Sequence, residues 1–335
     1  MNLAEKYISY IETVRRYSGR TVIIYSDVLE RFLRANLPEW DSTPMGELPD
    51  ETILSFLTTQ RIRNYEVHLL ERDKVGPRTV NLHLSALSGF CKYLVKENLL
   101  PSNPVALVAH PKMEKRLPEF YRNDDIRQYF KWTEPYASEE NLSLITGNDS
   151  VSVDMYRRRL RRLIVSLLYD TGIRRAELME LDISSIDFSR KVAHVHGKGD
   201  KNREIPLVDS LCQEISLYLQ ATEVMVGAKR DPSEALLVTE KGRRLYPLYV
   251  DRAVKTELGD VAGITGRKSP HVLRHTLATE LLDEGTDLNS IKELLGHSSL
   301  AATQVYTHNS IDKLRNVYSK AHPRAGKKDN TPSGD

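Results

Sequence analysis

Leu295-Gly296-His297-Ser298-Ser299-Leu300-Ala301-Ala302-Thr303-Gln304-Val305-Tyr306 closes an ordered series of short stretches rich in chemistry-bearing residues. Before it stand Thr171-Gly172-Ile173-Arg174, Gly197-Lys198-Gly199 and His271-Val272-Leu273-Arg274-His275. Arginine offers a planar fork of donors to the non-bridging oxygens of one phosphate, a geometry lysine cannot copy. Two such forks, from Arg174 and Arg274, would offset the extra charge of a pentavalent phosphorane. Lys198 stands in a glycine-flanked turn, from which it could deliver a proton to a leaving 5′ oxygen. A phenol with an ordinary pKa of about 10 is a poor nucleophile until neighbouring cations and a histidine favour its anion. The set Arg174, Lys198, His271, Arg274, His297 and Tyr306 is therefore what an attack on a DNA phosphodiester needs without a metal.

Each fragment alone has a plainer reading. Arg174 and Glu177, three apart, could form an ordinary surface ion pair. Lys198 could be surface decoration, and Tyr306 is one of 16 tyrosines, most of which serve packing. His271 and His275 lie at the spacing of helical metal ligands, and His297 and His308 extend a zinc reading. No Glu follows the first of them, and Arg274 would put a cation inside the site, so no metal and no cofactor is expected. His275 reads as a buried residue satisfying a nearby backbone or carboxylate group.

Working outward, the first hundred residues carry helical periodicity. Val22, Tyr25, Val28, Leu29 and Phe32 form one apolar face, and Val80, Leu84, Leu87, Cys91 and Leu94 form another, behind Pro77 in a first helical turn. Asp50 reads as the cap of a helix carrying Ile53, Leu54 and Leu57. The prolines at 101, 104, 111 and 118, with Lys112, Lys115 and Arg116 among them, read as an extended basic linker. Beyond it, Asn123-Asp124-Asp125 opens a helix through Trp132, and the periodicity fades from Thr133 to Val153 into a mobile loop or small insertion. A basic helix follows, with Leu160, Leu163, Ile164 and Leu167 inward and Arg157, Arg158, Arg159, Arg161 and Arg162 elsewhere, either solvated or facing DNA. Period-two alternation appears only between Ile186 and Val208, around a turn at Gly197-Lys198-Gly199-Asp200-Lys201-Asn202, where Lys201 and Arg203 would add phosphate contacts. A short strand at Leu236-Leu237-Val238 could extend that sheet. From Pro323 the chain reads as a frayed tail. The fold class is thus mainly α with a small antiparallel sheet. The expected division is a helical domain over 1–108, a linker over 109–118, a second domain over 119–322 and a flexible tail over 323–335.

A net charge of +2 across 335 residues does not announce a nucleic-acid binder. DNA contacts would have to come from local clustering of Lys and Arg. Two cysteines make no disulfide framework, which favours a reducing, cytoplasmic setting. No run approaches the length needed to span a membrane, and the charged stretch Met1-Asn2-Leu3-Ala4-Glu5-Lys6 lacks the apolar core of a signal peptide.

The ordered set, with Thr171 through Leu178, Gly197 through Arg203, His271 through His275, Leu295 through Ser298 and Val305 through His308, resembles the tyrosine recombinases, the family of phage integrases and Xer proteins. Arg78 through Leu87 and Asn98 through Pro104 resemble the DNA-clamping domain of Xer-type members, so the likeness runs from about residue 1 to residue 320. The resemblance implies a carboxyl-terminal catalytic domain in which Tyr306 forms a 3′-phosphotyrosyl link. Arg174 and Arg274 would bind the phosphate, His271 and His297 would donate to it or move protons, and Lys198 would protonate the leaving oxygen. The implied partners are double-stranded DNA at two sites and a homo- or hetero-tetramer, with any accessory protein unknown. Alternatives are DNA relaxation of the type IB topoisomerase kind, or a non-catalytic DNA-binding regulator. Chromosome-dimer resolution, mobile-element integration and DNA inversion are not separated by these residues. The stripe Ile311, Leu314, Val317 and Tyr318 suggests a segment that a neighbouring copy could capture.

Overall fold

The computed structural model describes residues 1–38, 41–113, 119–197, 201–296 and 324. The chain divides into two compact units, Met1–Arg116 and Leu117–Asp335. In the first, α1 (Leu3–Thr13), α2 (Gly19–Asn36), α3 (Asp50–Phe56), α4 (Thr59–Glu71) and α5 (Pro77–Lys96) surround a core of Leu29, Phe32, Ile53, Ile62, Leu84, Leu87 and Phe90. The Asn2 side chain accepts from Glu5 N at 3.1 Å while the Glu5 carboxylate accepts from Asn2 N, which closes the start of α1 reciprocally. Pro77 occupies the first turn of α5, where its missing N–H costs nothing. Asp50 does not cap its own helix. Its carboxylate accepts from Leu3 N at 2.8 Å and so serves α1 instead.

The second unit is built around α7 (Ser150–Thr171), which follows α6 (Asn123–Trp132) and leads to α8 (Arg175–Glu180). A sheet comes next, of β1 (Ile186–Asp187), β2 (Val192–Gly197) and β3 (Lys201–Pro206), antiparallel in that order. Val195 pairs with Arg203 and Gly197 with Lys201. Then come α9 (Asp209–Val226), α10 (Pro247–Glu257), α11 (Pro270–Asp283) and α12 (Leu288–Leu295). α7 packs against α9, α10 and α11, which is why it is buried on nearly every side from Leu163 to Thr171.

That burial changes the reading of the basic helix. Arg162 is buried and pairs with the fully buried Glu214, and Arg161 pairs with Glu257 at 2.9 Å. Arg157 pairs with Glu240 and Arg158 with Asp154, while buried Arg159 donates to Ser138 O at 2.7 Å. Arg159, Arg161 and Arg162 are fastened within the unit, while Arg157 and Arg158 make their ion pairs at its surface.

The stretch read as a mobile loop or small insertion, Thr133 to Val153, is tied to the second unit at several points. Ile145 is buried in the core, Ser138 is held by Arg159, and Tyr136 accepts from Arg158 at 3.0 Å. Side-chain-to-backbone bonds fix it, so it shows no helical period. Leu236-Leu237-Val238 adds no strand among the described residues. Its run is core, and the backbone of Val238 is satisfied by the hydroxyls of Tyr218 and Tyr156 at 3.0 and 2.9 Å. The tail read as flexible departs from expectation at Arg324, whose guanidinium lies 2.6 Å from Asp170 and 4.1 Å from the centre of the Phe130 ring.

Candidate active site

α7 ends at Gly172, whose φ of +60° places it in the left-handed region. A Cβ there would lie 2.6 Å from Leu295 and 3.0 Å from Leu277, so the absence of a side chain lets α7, α11 and α12 converge. Arg174, two residues on, is the N-cap of α8. The Glu177 carboxylate in the first turn accepts from Arg174 N at 2.8 Å and from its Nη1 at 2.7 Å. The same carboxylate accepts from Arg203 of β3, Nη2 at 2.8 Å and Nη1 at 3.2 Å. Burial pushes the Glu177 carboxyl up, but bonds from Arg203 and Arg174 outweigh it and hold the pKa down at about 2.

Arg203 is therefore not a phosphate contact. It is only 6 % exposed, and its Nε donates to Leu294 O at 3.1 Å. The β pairing explains this: Arg203 faces the same side as buried Val195 and Ile205, while His194 and Glu204 face out. The inward alternation of Arg203 and Ile205 was a signal available in the sequence.

Arg274 lies on α11, one turn beyond His271, and is 6 % exposed. Its Nη1 donates to Gly172 O and its Nη2 to Leu295 O, both at 2.5 Å. Arg174 Nη2 donates to Gly296 O at 2.8 Å. The carbonyls of Leu294, Leu295 and Gly296 at the end of α12 thus receive Arg203, Arg274 and Arg174 in turn. Those carbonyls have no partner within a helix and carry its negative dipole end, so three cations suit them. Burial, then repulsion from Arg174, lowers Arg274 to about 10, which leaves it charged at neutral pH.

His271, in the first turn of α11, is pushed down in pKa by partial burial and then by Arg175, Arg267, His275 and Arg274. That shift favours its neutral form. His275 is exposed, contrary to the buried role expected of it, because α11 turns that side to solvent and its Val272, Leu273 and Thr276 side inward. Lys198, His297 and Tyr306 lie outside the described residues. Their neighbours in sequence are placed: Gly197 ends β2 beside Arg203's strand, and Gly296 is the residue bonded to Arg174. Among the described residues, no group of three His, Cys, Asp or Glu is arranged to hold a metal ion.

Residues 139–312 match the phage integrase family. The chain is 35% identical to the tyrosine recombinase XerC of Bacillus pumilus, over 97% of this chain and 98% of that protein. It is 31% identical to the XerC of Chlorobaculum parvum, over 96% and 94% of the two chains. Among solved structures, a DNA-bound lambda integrase fragment matches with a TM-score of 0.59 at 20% identity, covering 90% of this chain and 93% of that one. The Tn1549 transposon integrase in complex with transposon end DNA gives the same TM-score at 17% identity, over 94% and 99%. Those two likenesses show the shared fold, and the sequence matches show the kinship: the chain belongs to the phage integrase family and is a tyrosine recombinase.

Proposed function

We propose that Arg174, Lys198, His271, Arg274, His297 and Tyr306 carry the strand exchange, with Arg174 and Arg274 as the phosphate clamp. One observation supports this above others. The two guanidinium groups donate to consecutive carbonyls, Gly296 O and Leu295 O, at the point where the chain continues into His297 and Tyr306. In this reading the Tyr306 oxygen bonds to phosphorus as the bond to the 5′ oxygen breaks. The phenolic proton passes to a base, a role that neutral His271 suits, and Lys198 returns a proton to the 5′ oxygen. The phosphodiester's energy is kept in the 3′-phosphotyrosyl link, and a 5′-hydroxyl from a second duplex reverses the attack.

The helical domain over 1–108, within the first unit, serves in this reading as a clamp on double-stranded DNA, joined through 109–118 to a catalytic domain over 119–322. The lambda integrase has been solved as a tetramer bound to a Holliday junction. A tetramer on two sites is the assembly proposed for this chain, acting in the cytoplasm. Among the described residues no helix is long and apolar enough to cross a membrane. The recombinase relatives give no support to the topoisomerase alternative.

A nicked duplex that traps the cleaved strand tests the assignment. Wild type should form a covalent adduct with it. Tyr306→Phe should form none while binding the same DNA with unchanged affinity, since only the attacking oxygen is lost. An adduct with the Phe variant overturns the choice of nucleophile.

A further inference from the structure

We propose that Arg203 is a positioning residue of this recombinase, holding Arg174 in the posture that meets the phosphate. The proposal rests on the role of Arg174 given above. Arg203 touches no open surface: it is buried, and its donors reach protein acceptors on two other elements. Two of its nitrogens hold the oxygens of Glu177 at 2.8 and 3.2 Å. That carboxylate in turn holds both the backbone N and the guanidinium of Arg174. A carboxylate gripped by Arg174 alone could swing about its last bond. Gripped also by the fork of Arg203, its plane is fixed, and the direction of the Arg174 guanidinium with it.

The third link, from Nε to Leu294 O, ties the same residue to the end of α12. A Cβ on Gly296 would lie 3.0 Å from Arg203 Nη1, so this close approach depends on a glycine there. One side chain thereby joins the β2–β3 hairpin, whose strands flank Lys198, to α8 and to the segment that leads to His297. Lysine in its place would keep a charge yet could not hold two carboxylate oxygens and a carbonyl together.

The test uses the full-length protein and the nicked trapping duplex. Single-turnover cleavage is measured at saturating protein, with DNA affinity and the unfolding midpoint measured alongside. Arg203→Lys should cleave about 10²-fold more slowly, as expected for a displaced phosphate ligand, with DNA affinity unchanged. A pH profile separates positioning from general loosening. The groups facing Glu177 are Arg174 on its own helix, Arg203 from β3 and Arg274 from α11. Without the Arg203 fork the Glu177 carboxyl should take up a proton at higher pH than in wild type. Cleavage by Arg203→Lys should then fall more steeply than wild type as pH drops toward about 5, near the ordinary carboxylate range, wild type losing rate there only through protonation of His271. Adding Glu177→Gln should remove that extra loss and restore the wild-type shape of the profile, since an amide cannot titrate. A wild-type rate in Arg203→Lys, or a loss of equal size at every pH, overturns the proposal. Undiminished cleavage by Arg174→Ala would instead overturn the reading beneath it.

Discussion

At the scale of single residues, the site depends on what Gly172 lacks. Its φ of +60° and the 2.6 Å approach of Leu295 leave no room for a methyl group. Gly172→Ala should destabilise the protein by about 1–3 kcal/mol through left-handed strain and overpacking. It should also push α12 away from Arg274, whose Nη1 rests on Gly172 O. Chemical denaturation checks this, and an unchanged midpoint would show that α12 yields without cost. The candidate arginines were legible in sequence because Arg174 and Arg274 each stand inside a short, recognisable stretch. Arg203 was misread because a basic residue near a lysine-bearing turn looks like a phosphate contact. Only its register opposite Val195 turns it inward.

At the scale of elements, α7 shows where periodicity stops being informative. Where α7 is flanked by α9, α10 and α11 it has little free surface, so Arg161 and Arg162 find partners inside. Charge density along the sequence could not reveal that Glu214 and Glu257, 52 and 96 residues beyond Arg162 and Arg161, would meet them. Arg162→Ala should therefore lose about 3–5 kcal/mol, because it strands the buried Glu214 carboxylate. Arg158→Ala, at an exposed pair, should lose at most about 1 kcal/mol. Neither should alter the dependence of DNA affinity on salt, since neither arginine is committed to phosphate. Denaturation and salt titration of both variants check this; a shallower salt dependence in either would return α7 to the DNA surface. The small sheet was legible because alternation is a strong local signal, whereas α4 and the packed segment after Trp132 depend on distant neighbours.

At the scale of the whole molecule, the Arg324 side chain reaches the interior of the second unit. It pairs with Asp170 at 2.6 Å and approaches Glu214 at 3.5 Å, both carboxylates being fully buried. Burial raises Asp170 to about 7, a shift opposed by Arg324 and reinforced by Glu214, with Arg162 lowering it and Glu280 raising it. A carboxyl raised on folding binds more protons folded than unfolded, so its contribution to stability falls as pH climbs from about 4 to about 7 and is level above that. Removing the Arg324 cation should raise Asp170 further and carry the decline past neutrality. Arg324→Met should thus be more destabilising at pH 8 than at pH 6, and thermal unfolding at the two values measures it. An equal penalty at both would show that Arg324 contributes packing on Phe130 and little charge.

The same contact also sets an order of events. Synthesis runs from the amino end, so Asp170 and Glu214 emerge well before the guanidinium that completes their surroundings. Until residue 324 has been made, Asp170 is best accommodated with a proton, and the second unit lacks one of its internal counter-charges. The finished interior of the second unit awaits residue 324, long after Asp170 and Glu214 have emerged.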